Sequence, residues 1–160
     1  RVFVSSELVH DWSDEEIAVV VAHELAHHAH HDLWRTLVVD AGLLSLGFWA
    51  ADRLLENPDG ALAAGSLAVL PQVAVVVAAV WLASTPLRHA LSRRQERRAD
   101  AFALQLTGSV DAFQTALRRL AARHLAEERP SRLTRWFHHR HPTVGERLEF
   151  AERWRDRRSI

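Results

Sequence analysis

Two apolar stretches in the middle of the chain constrain its fold more than any other feature. The second, residues 61–83, reaches the roughly 20 residues that a helix needs to cross a bilayer, although Pro71 weakens it. The first is uncharged only over residues 41–51, which make about 16 Å of helix against a hydrocarbon core of about 30 Å. A polar turn at residues 56–60 joins the two stretches. This pattern predicts an inserted apolar helical hairpin over residues 36–84.

The hairpin either spans a membrane or packs inside a soluble protein. The first helix can span only if it includes Asp40 or the Asp52–Arg53 pair, and a central charge costs on the order of 3 kcal/mol. The charge distribution nevertheless favours the membrane, because the turn is mainly acidic whereas five arginines lie between residues 88 and 98. Since an excess of arginine marks the cytoplasmic side, we predict that both ends of the hairpin are cytoplasmic.

Local signals predict helices on both sides of the hairpin. Ser13 followed by Glu16 has the pattern of a capping box, and the helix that it starts is expected to run over about residues 14–31. Further helices are expected after Pro86, with Gly108 ending the first of them. They cover about residues 91–106, 110–125 and 144–154. The chain is therefore predicted to be mainly α-helical, as a single domain of residues 1–160 that contains the hairpin.

Composition excludes several kinds of site and partner. The chain has no cysteine, so any transition metal must be held by His, Asp and Glu side chains. A formal net charge of +0 gives no electrostatic basis for binding nucleic acid, which we exclude as a partner. All 20 basic residues are arginine, a coding bias that suggests a bacterial source. Methionine is absent, even at position 1, and this indicates a piece of a longer protein.

The predicted first helix carries the strongest chemical signal, the run His23-Glu24-Leu25-Ala26-His27, which is H-E-x-x-H. Residues four apart share one face of a helix, so the two imidazoles can converge on one ion. Glu24 is next to the first imidazole and can reach a water on the metal, an arrangement that serves zinc hydrolases. Three more histidines follow in the same helix, and we interpret these as solvated surface. They are His28, His30 and His31.

A third ligand is needed, and the basic run at residues 92–100 contains a candidate. Glu96 and Asp100 are four residues apart, so they face the same way on a helix. One carboxylate can bind the metal while the other holds a ligand imidazole by its second nitrogen. The alternative is a solvated charge run in which Glu96 pairs with arginines. Beside H-E-x-x-H, we favour the ligand interpretation.

These motifs resemble the integral-membrane zinc metallopeptidases that include HtpX and the type 1 CAAX prenyl proteases. The similarity rests on SSELVHDWSDEEIAVVVAHELAHHAHHDLW, the apolar hairpin, SRRQERRADAFALQLTG and HPTVGERL. It implies a zincin-like helical domain of the gluzincin type. The alternation of apolar and polar residues in RVFVSSELV separately predicts a short N-terminal edge strand at Val2, Phe3 and Val4. The resemblance also implies one Zn²⁺ per chain, a bacterial inner or plasma membrane location, and an active site on the cytoplasmic side.

The resemblance assigns a role to each candidate residue. It implies that His23, His27 and Glu96 bind zinc, that Glu24 is the base for the zinc-activated water, and that Asp100 supports a ligand. His141 and Arg147 match a late H-P-x-x-x-x-R element near the active site. His141 would donate to the oxyanion or take the open zinc position, and the alternative is that it caps the last helix. The edge strand would pair with extended substrate backbone.

The implied function is that of an endopeptidase that cleaves membrane-associated or misfolded proteins. Two alternatives remain at this stage. A protease-like domain of a membrane sensor would need a binding domain outside these residues, because the turn at residues 56–60 is too short to hold one. A non-catalytic scaffold stabilised by zinc would not need Glu24, so the intact H-E-x-x-H argues against it.

Overall fold

The computed structural model describes residues 11–55, 67–123 and 141–158, and these are mostly helical, which confirms the predicted mainly α class. The predicted strand at Val2–Val4 lies outside the described residues and stays a prediction. In chain order the elements are α1 (Asp14–Ala29), α2 (Asp32–Leu55), a 3-10 turn (Leu67–Val69), α3 (Leu70–Ala83), α4 (Thr85–Thr107), α5 (Val110–Arg123) and α6 (Val144–Arg158).

The chain divides into two compact units. The first combines Arg1–Asp32 with His89–Ile160, and the second is Leu33–Arg88. The predicted insertion of residues 36–84 falls within the second unit, whereas the two segments that carry the candidate ligands fold together in the first.

The first unit has its core where α5 packs against both α1 and α6. One face of α5 is apolar at helical spacing and is buried through Phe113 and Leu117. Val19 from α1, Leu104 from α4 and Ala151 from α6 complete the same cluster. Each of these five side chains is almost fully removed from water, so the core fixes the helices that carry the candidate site.

Capping boxes begin two helices of the first unit. At α1, the Glu16 N–H donates to Ser13 Oγ over 3.3 Å, and the Ser13 N–H donates to Glu16 Oε2 over 2.8 Å, as predicted. At α6, Thr143 and Glu146 form the same reciprocal pair at 3.2 and 3.1 Å. Each box satisfies two backbone N–H groups that a helix start leaves unpaired.

The first helix ends earlier than predicted. It stops at Ala29, and His31 takes a left-handed conformation with φ of 54° before α2 begins at Asp32. This conformation costs a non-glycine residue roughly 1–2 kcal/mol. The resulting turn brings Asp32 into contact with His27, a consequence developed below.

In the second unit, α2 is the longer of the two described apolar helices, and residues 56–66, which hold the predicted turn and the start of the second stretch, lie outside the described residues. Helix α2 is continuous over 24 residues, about 36 Å, and among the described residues it alone is long and apolar enough to cross a membrane by itself. Helix α3 has only 14 residues, about 21 Å, because it begins at Leu70 with Pro71 in its first turn. It passes the same test only together with α4, to which it is joined at a bend of 43°.

Two contacts tie α2 to the second half of the hairpin. A methyl group on Gly47 would lie 3.2 Å from Val77 Cα, so the glycine permits close packing of α2 on α3. Asp40, the charge that made a spanning α2 costly, accepts a hydrogen bond from Arg88 Nε at 2.9 Å. The Arg88 guanidinium also lies 3.8 Å from the ring centroid of Trp81. Pairing lowers the cost of placing the Asp40 charge within an apolar helix.

Candidate metal centre

Helix α1 and helix α4 together form a cluster of three candidate metal ligands. His23 and His27 lie one turn apart on α1 with their ring centroids separated by 5.0 Å. The Nε2 atoms of both rings face Glu96 of α4, at 3.4 Å for His23 and 3.9 Å for His27. The three ligand atoms lie within 4.8 Å of one another, so they can surround a single ion. The donor set of two imidazoles and one carboxylate fits a four-coordinate metal with an open position.

Glu96 is buried and is kept ionised by its neighbours. Burial by itself raises the pKa of its carboxyl group. Hydrogen bonding to His141 and His23 outweighs burial and lowers that pKa well below its usual range. A permanently ionised, buried carboxylate between imidazoles is suited to binding a cation.

Asp100 supports His23 from the side away from Glu96. His23 Nδ1 lies 3.0 Å from Asp100 Oδ1, and Asp100 is 1% exposed. Arg147 of α6 donates to both oxygens of Asp100, from Nε at 2.9 Å and from Nη2 at 2.6 Å. Burial lowers the pKa of His23, but the Asp100 and Glu96 carboxylates outweigh it and raise the pKa to about 9. Arg147 has a raised pKa because Asp100 and Glu96 outweigh the effect of its burial.

Asp32 supports His27 in the same manner, and sequence reasoning missed it. His27 Nδ1 lies 2.9 Å from Asp32 Oδ2, and Asp32 is 5% exposed. Arg98 Nη2 donates to the other oxygen, Asp32 Oδ1. In a continuous helix a residue five positions after His27 lies off its face, and the left-handed His31 removes this obstacle. The His27–Asp32 pair could have been predicted only from the early end of α1, and no residue type in the sequence indicates that the helix ends there.

His141 lies beside the ligand cluster rather than at a helix cap. Its Nδ1 is 2.8 Å from Glu96 Oε1, and its side chain is 68% exposed. The N-terminal cap of α6 is Thr143, so the alternative in which His141 caps this helix is wrong. An exposed imidazole at the edge of the cluster can meet a substrate or the ion itself.

An open cleft of about 550 Å³ contains the cluster. Glu24 is exposed and lines this cleft, as does His141. Apolar residues of α5 also line it, namely the half-buried Leu120 and the buried Phe113 and Leu117. The cleft therefore places a carboxylate and an imidazole beside the candidate ligands and next to a surface suited to apolar side chains.

The three remaining histidines of the helix lie apart from the ligand cluster. His28 and His31 are exposed, as predicted. His30 is half-buried, with its Nδ1 2.7 Å from the Ala26 carbonyl oxygen and its ring edge-to-face with Phe102, so its interpretation as solvated surface is wrong. The contact with Phe102 is one that only the folding of α1 against α4 creates.

In this helical domain, H-E-x-x-H on one helix lies beside a buried glutamate from a second helix. This arrangement is that of a metal-dependent peptidase. Comparison with known proteins agrees with this assignment. The profile of peptidase family M48 matches residues 1–155. The chain belongs to peptidase family M48, and the family implies a metal cofactor and a polypeptide substrate.

Several curated proteins are similar to the chain. An uncharacterized metalloprotease, YhfN, of Bacillus subtilis (strain 168) is 26% identical over 160 residues, which cover 96% of this chain and 38% of the relative. A protease HtpX homolog of Bacteroides fragilis is 30% identical over 135 residues, or 76% of this chain and 40% of the relative. The protease HtpX of Glaesserella parasuis is 30% identical over 172 residues, or 92% and 57%. The chain thus spans about two fifths of the first two relatives.

A solved structure has the same fold. The crystal structure of S. mikatae Ste24p matches with a TM-score of 0.74 and 22% identity, over 91% of this chain and 37% of that one. This likeness confirms the predicted fold class, because the two folds superpose over most of the chain.

Proposed function

We propose that the chain is the catalytic part of a zinc-dependent endopeptidase that hydrolyses peptide bonds of membrane-associated or misfolded proteins. One observation carries the proposal: one possible ligand atom from each of His23, His27 and Glu96 lies within 4.8 Å of the other two, in a cleft that Glu24 also lines. Zinc suits this donor set, since it accepts imidazole and carboxylate ligands in tetrahedral sites that keep one position open.

His23, His27 and Glu96 would hold the zinc ion, which when bound acidifies water to a pKa near 7 and polarises a carbonyl. Glu24 takes the proton from the attacking water at its carboxylate and passes it to the leaving amine. Its exposure in the cleft and its position next to His23 support this role. Glu24 thus serves as base in the first step and as acid in the second.

His141 and Leu120 are proposed to act on the substrate. His141 would donate to the oxygen that becomes negative during attack, and its exposure in the cleft, 2.8 Å from Glu96, supports this role. Leu120, which is half-buried in the cleft, offers apolar surface to apolar side chains of a substrate. Such side chains are accessible in unfolded or membrane-associated polypeptides and buried in folded soluble proteins.

The test of catalysis separates zinc binding from chemistry. In Glu24→Gln the amide keeps the shape of the carboxylate but cannot accept a proton, so zinc content and fold should persist while cleavage falls. General base catalysis contributes roughly 10²- to 10⁴-fold, and we expect a loss at or beyond the upper end because the group acts twice. The full-length proteins are purified, assayed for zinc, and offered an unfolded model protein.

Glu149→Gln is the matched control, because Glu149 is exposed on α6 outside the cleft, and it should cleave like the wild type. Cleavage by Glu24→Gln at a wild-type rate would remove Glu24 as the base. Wild-type protein that holds zinc but cleaves nothing would instead support the scaffold alternative. Glu96→Ala should lower the affinity for zinc by 10-fold or more, because loss of a residue that merely supports a ligand already lowers metal affinity by roughly 10- to 100-fold.

We also propose that the hairpin spans the membrane and that the active site is cytoplasmic. Exposed apolar residues on α2, including Leu33, Trp34, Phe48 and Trp49, suit a lipid environment. The chain has no native cysteine, so single cysteines report topology cleanly. In intact cells, Gly60→Cys should react with an impermeant thiol reagent, whereas Asp156→Cys on α6 should react only after lysis. The reverse labelling pattern would invert the topology, and no labelling of either before lysis would return the hairpin to a soluble core.

A further inference from the structure

Each candidate imidazole of the metal centre has an aspartate beside its Nδ1 atom, and an arginine contacts that aspartate. His23 is backed by Asp100, which Arg147 holds. His27 is backed by Asp32, whose second oxygen accepts from Arg98. The supporting residues come from different helices, because Asp32 begins α2 whereas Asp100 and Arg98 belong to α4.

The pairing fixes which nitrogen of His27 carries the proton. An ionised carboxylate can only accept hydrogen bonds, so Asp32 Oδ2 at 2.9 Å requires a proton on His27 Nδ1. Nε2 of the neutral ring then has its lone pair free, and this is the atom that faces Glu96. Arg98 holds the carboxylate in place, since it donates to the oxygen that His27 does not use.

We propose that Asp32 is a positioning residue that holds His27 in the tautomer and orientation needed to bind the metal through Nε2. This inference rests on the proposed metal site and adds a residue to it. Because Asp32 reaches His27 only through the left-handed turn at His31, the turn that ends α1 is part of the site's construction.

Replacement of Asp32 by asparagine gives a sharp expectation, because an amide has one acceptor and one donor group. With Arg98 present, the amide oxygen would face the guanidinium and the amide NH₂ would face His27, which would shift the imidazole proton to Nε2. Asp32→Asn is therefore expected to lower the affinity for zinc by 10-fold or more, within the roughly 10- to 100-fold loss that is typical when a residue supporting a metal ligand is replaced. Adding Arg98→Met removes the competing donor, so the amide can turn its oxygen to His27 and restore much of the affinity.

The experiment measures zinc affinity of the full-length proteins by competition with a chelator, and records the Co²⁺ absorption spectrum of each. The variants are Asp32→Asn, Arg98→Met and the double variant, with Asp40→Asn as control. Asp40 lies on the same helix and is also paired with an arginine, but it contacts Arg88 rather than a candidate ligand. We expect a loss in Asp32→Asn, tighter binding in the double variant than in Asp32→Asn, and wild-type affinity in Asp40→Asn.

Three results would overturn the inference. Affinity of Asp32→Asn within about twofold of the wild type, the usual scatter of independent sites, would remove Asp32 from the site. A double variant that binds no better than Asp32→Asn would show a purely structural role. Wild-type protein that binds no zinc would overturn the proposed function and this inference together, whereas the first two results leave the proposed function standing.

A measurement on the wild type covers the case in which Asp32→Asn fails to fold. In zinc-loaded protein with ¹⁵N-labelled histidine, the His27 resonances should show a proton on Nδ1 and none on Nε2. A ring without a proton on Nδ1 would refute the proposed pairing with Asp32.

Discussion

Removing the Arg147 side chain should be among the most damaging single changes in the first unit. Arg147 of α6 and Asp100 of α4 form two parallel hydrogen bonds, at 2.9 and 2.6 Å, and the carboxylate is 1% exposed. In Arg147→Ala the Asp100 charge would stay buried without its cation. Breaking a buried pair in this manner typically costs about 3–5 kcal/mol. We expect a value near the lower end, because His23 at 3.0 Å still faces Asp100.

The matched control lies on the same helix. Arg153 is paired with Glu149 at 3.9 Å, and both side chains are more than half exposed, at 65% and 60%. Exposed pairs at this spacing contribute about 0.3–0.5 kcal/mol, so Arg153→Ala should change the free energy of unfolding by no more than that. The comparison therefore separates burial from the mere presence of an ion pair.

Chemical unfolding of the purified protein, with a chelator present so that metal binding adds nothing, measures both variants. A double-mutant cycle with Asp100→Asn then isolates the pair, and the two single losses should not add. Equal, small losses in Arg147→Ala and Arg153→Ala would refute the reasoning. So would full additivity with Asp100→Asn, since it would mean that the two groups stabilise the fold independently.

The described contacts support three further predictions. The pKa of His23 is raised to about 9 from 6.5, so protonation of His23 stabilises the metal-free fold fully below pH 6.5, and this contribution is lost as pH rises through 9. The melting temperature of the metal-free protein should therefore fall between pH 6.5 and 9. A His23→Gln variant should not show this fall. Gly47→Leu should push α2 away from α3 and lower the stability of the hairpin. Gly42→Ala should instead raise helix stability by up to about 1 kcal/mol, because nothing lies within 4 Å of the added methyl group. Unfolding of the two variants in detergent measures both effects. Ser13→Ala removes the cap of α1 and should cost about 1 kcal/mol in the free energy of unfolding, and no loss would show that the capping box is dispensable.

The sequence predicted the parts of the site that depend on spacing within one helix. His23 and His27, like Glu96 and Asp100, are four residues apart, and helical geometry alone puts each pair on one face. The capping box at Ser13 and the end of α4 near Gly108 were predicted for the same reason, since each depends on residues within one turn.

Helix lengths in the hairpin were predicted less well. Hydrophobicity favoured residues 61–83 as the spanning segment, yet among the described helices α2 is longer than α3 and retains Asp40. The charge is tolerated because Arg88, 48 residues further along the chain, pairs with it. A count of charges along the sequence cannot include a partner that folding brings from elsewhere.

By itself, the sequence determined the class of the protein, because H-E-x-x-H, the acidic pair after the hairpin and the late H-P-x-x-x-x-R element are local patterns. The tertiary structure decided how the centre is supported. It paired Asp100 with Arg147 across α4 and α6, and it used a left-handed His31 to bring Asp32 and Arg98 to His27. These contacts join residues up to 66 positions apart or lie beyond a helix break. They offset the cost of burying each charge by pairing it with an opposite charge, and the buried, low-dielectric surroundings that strengthen this pairing exist only once the helices have packed.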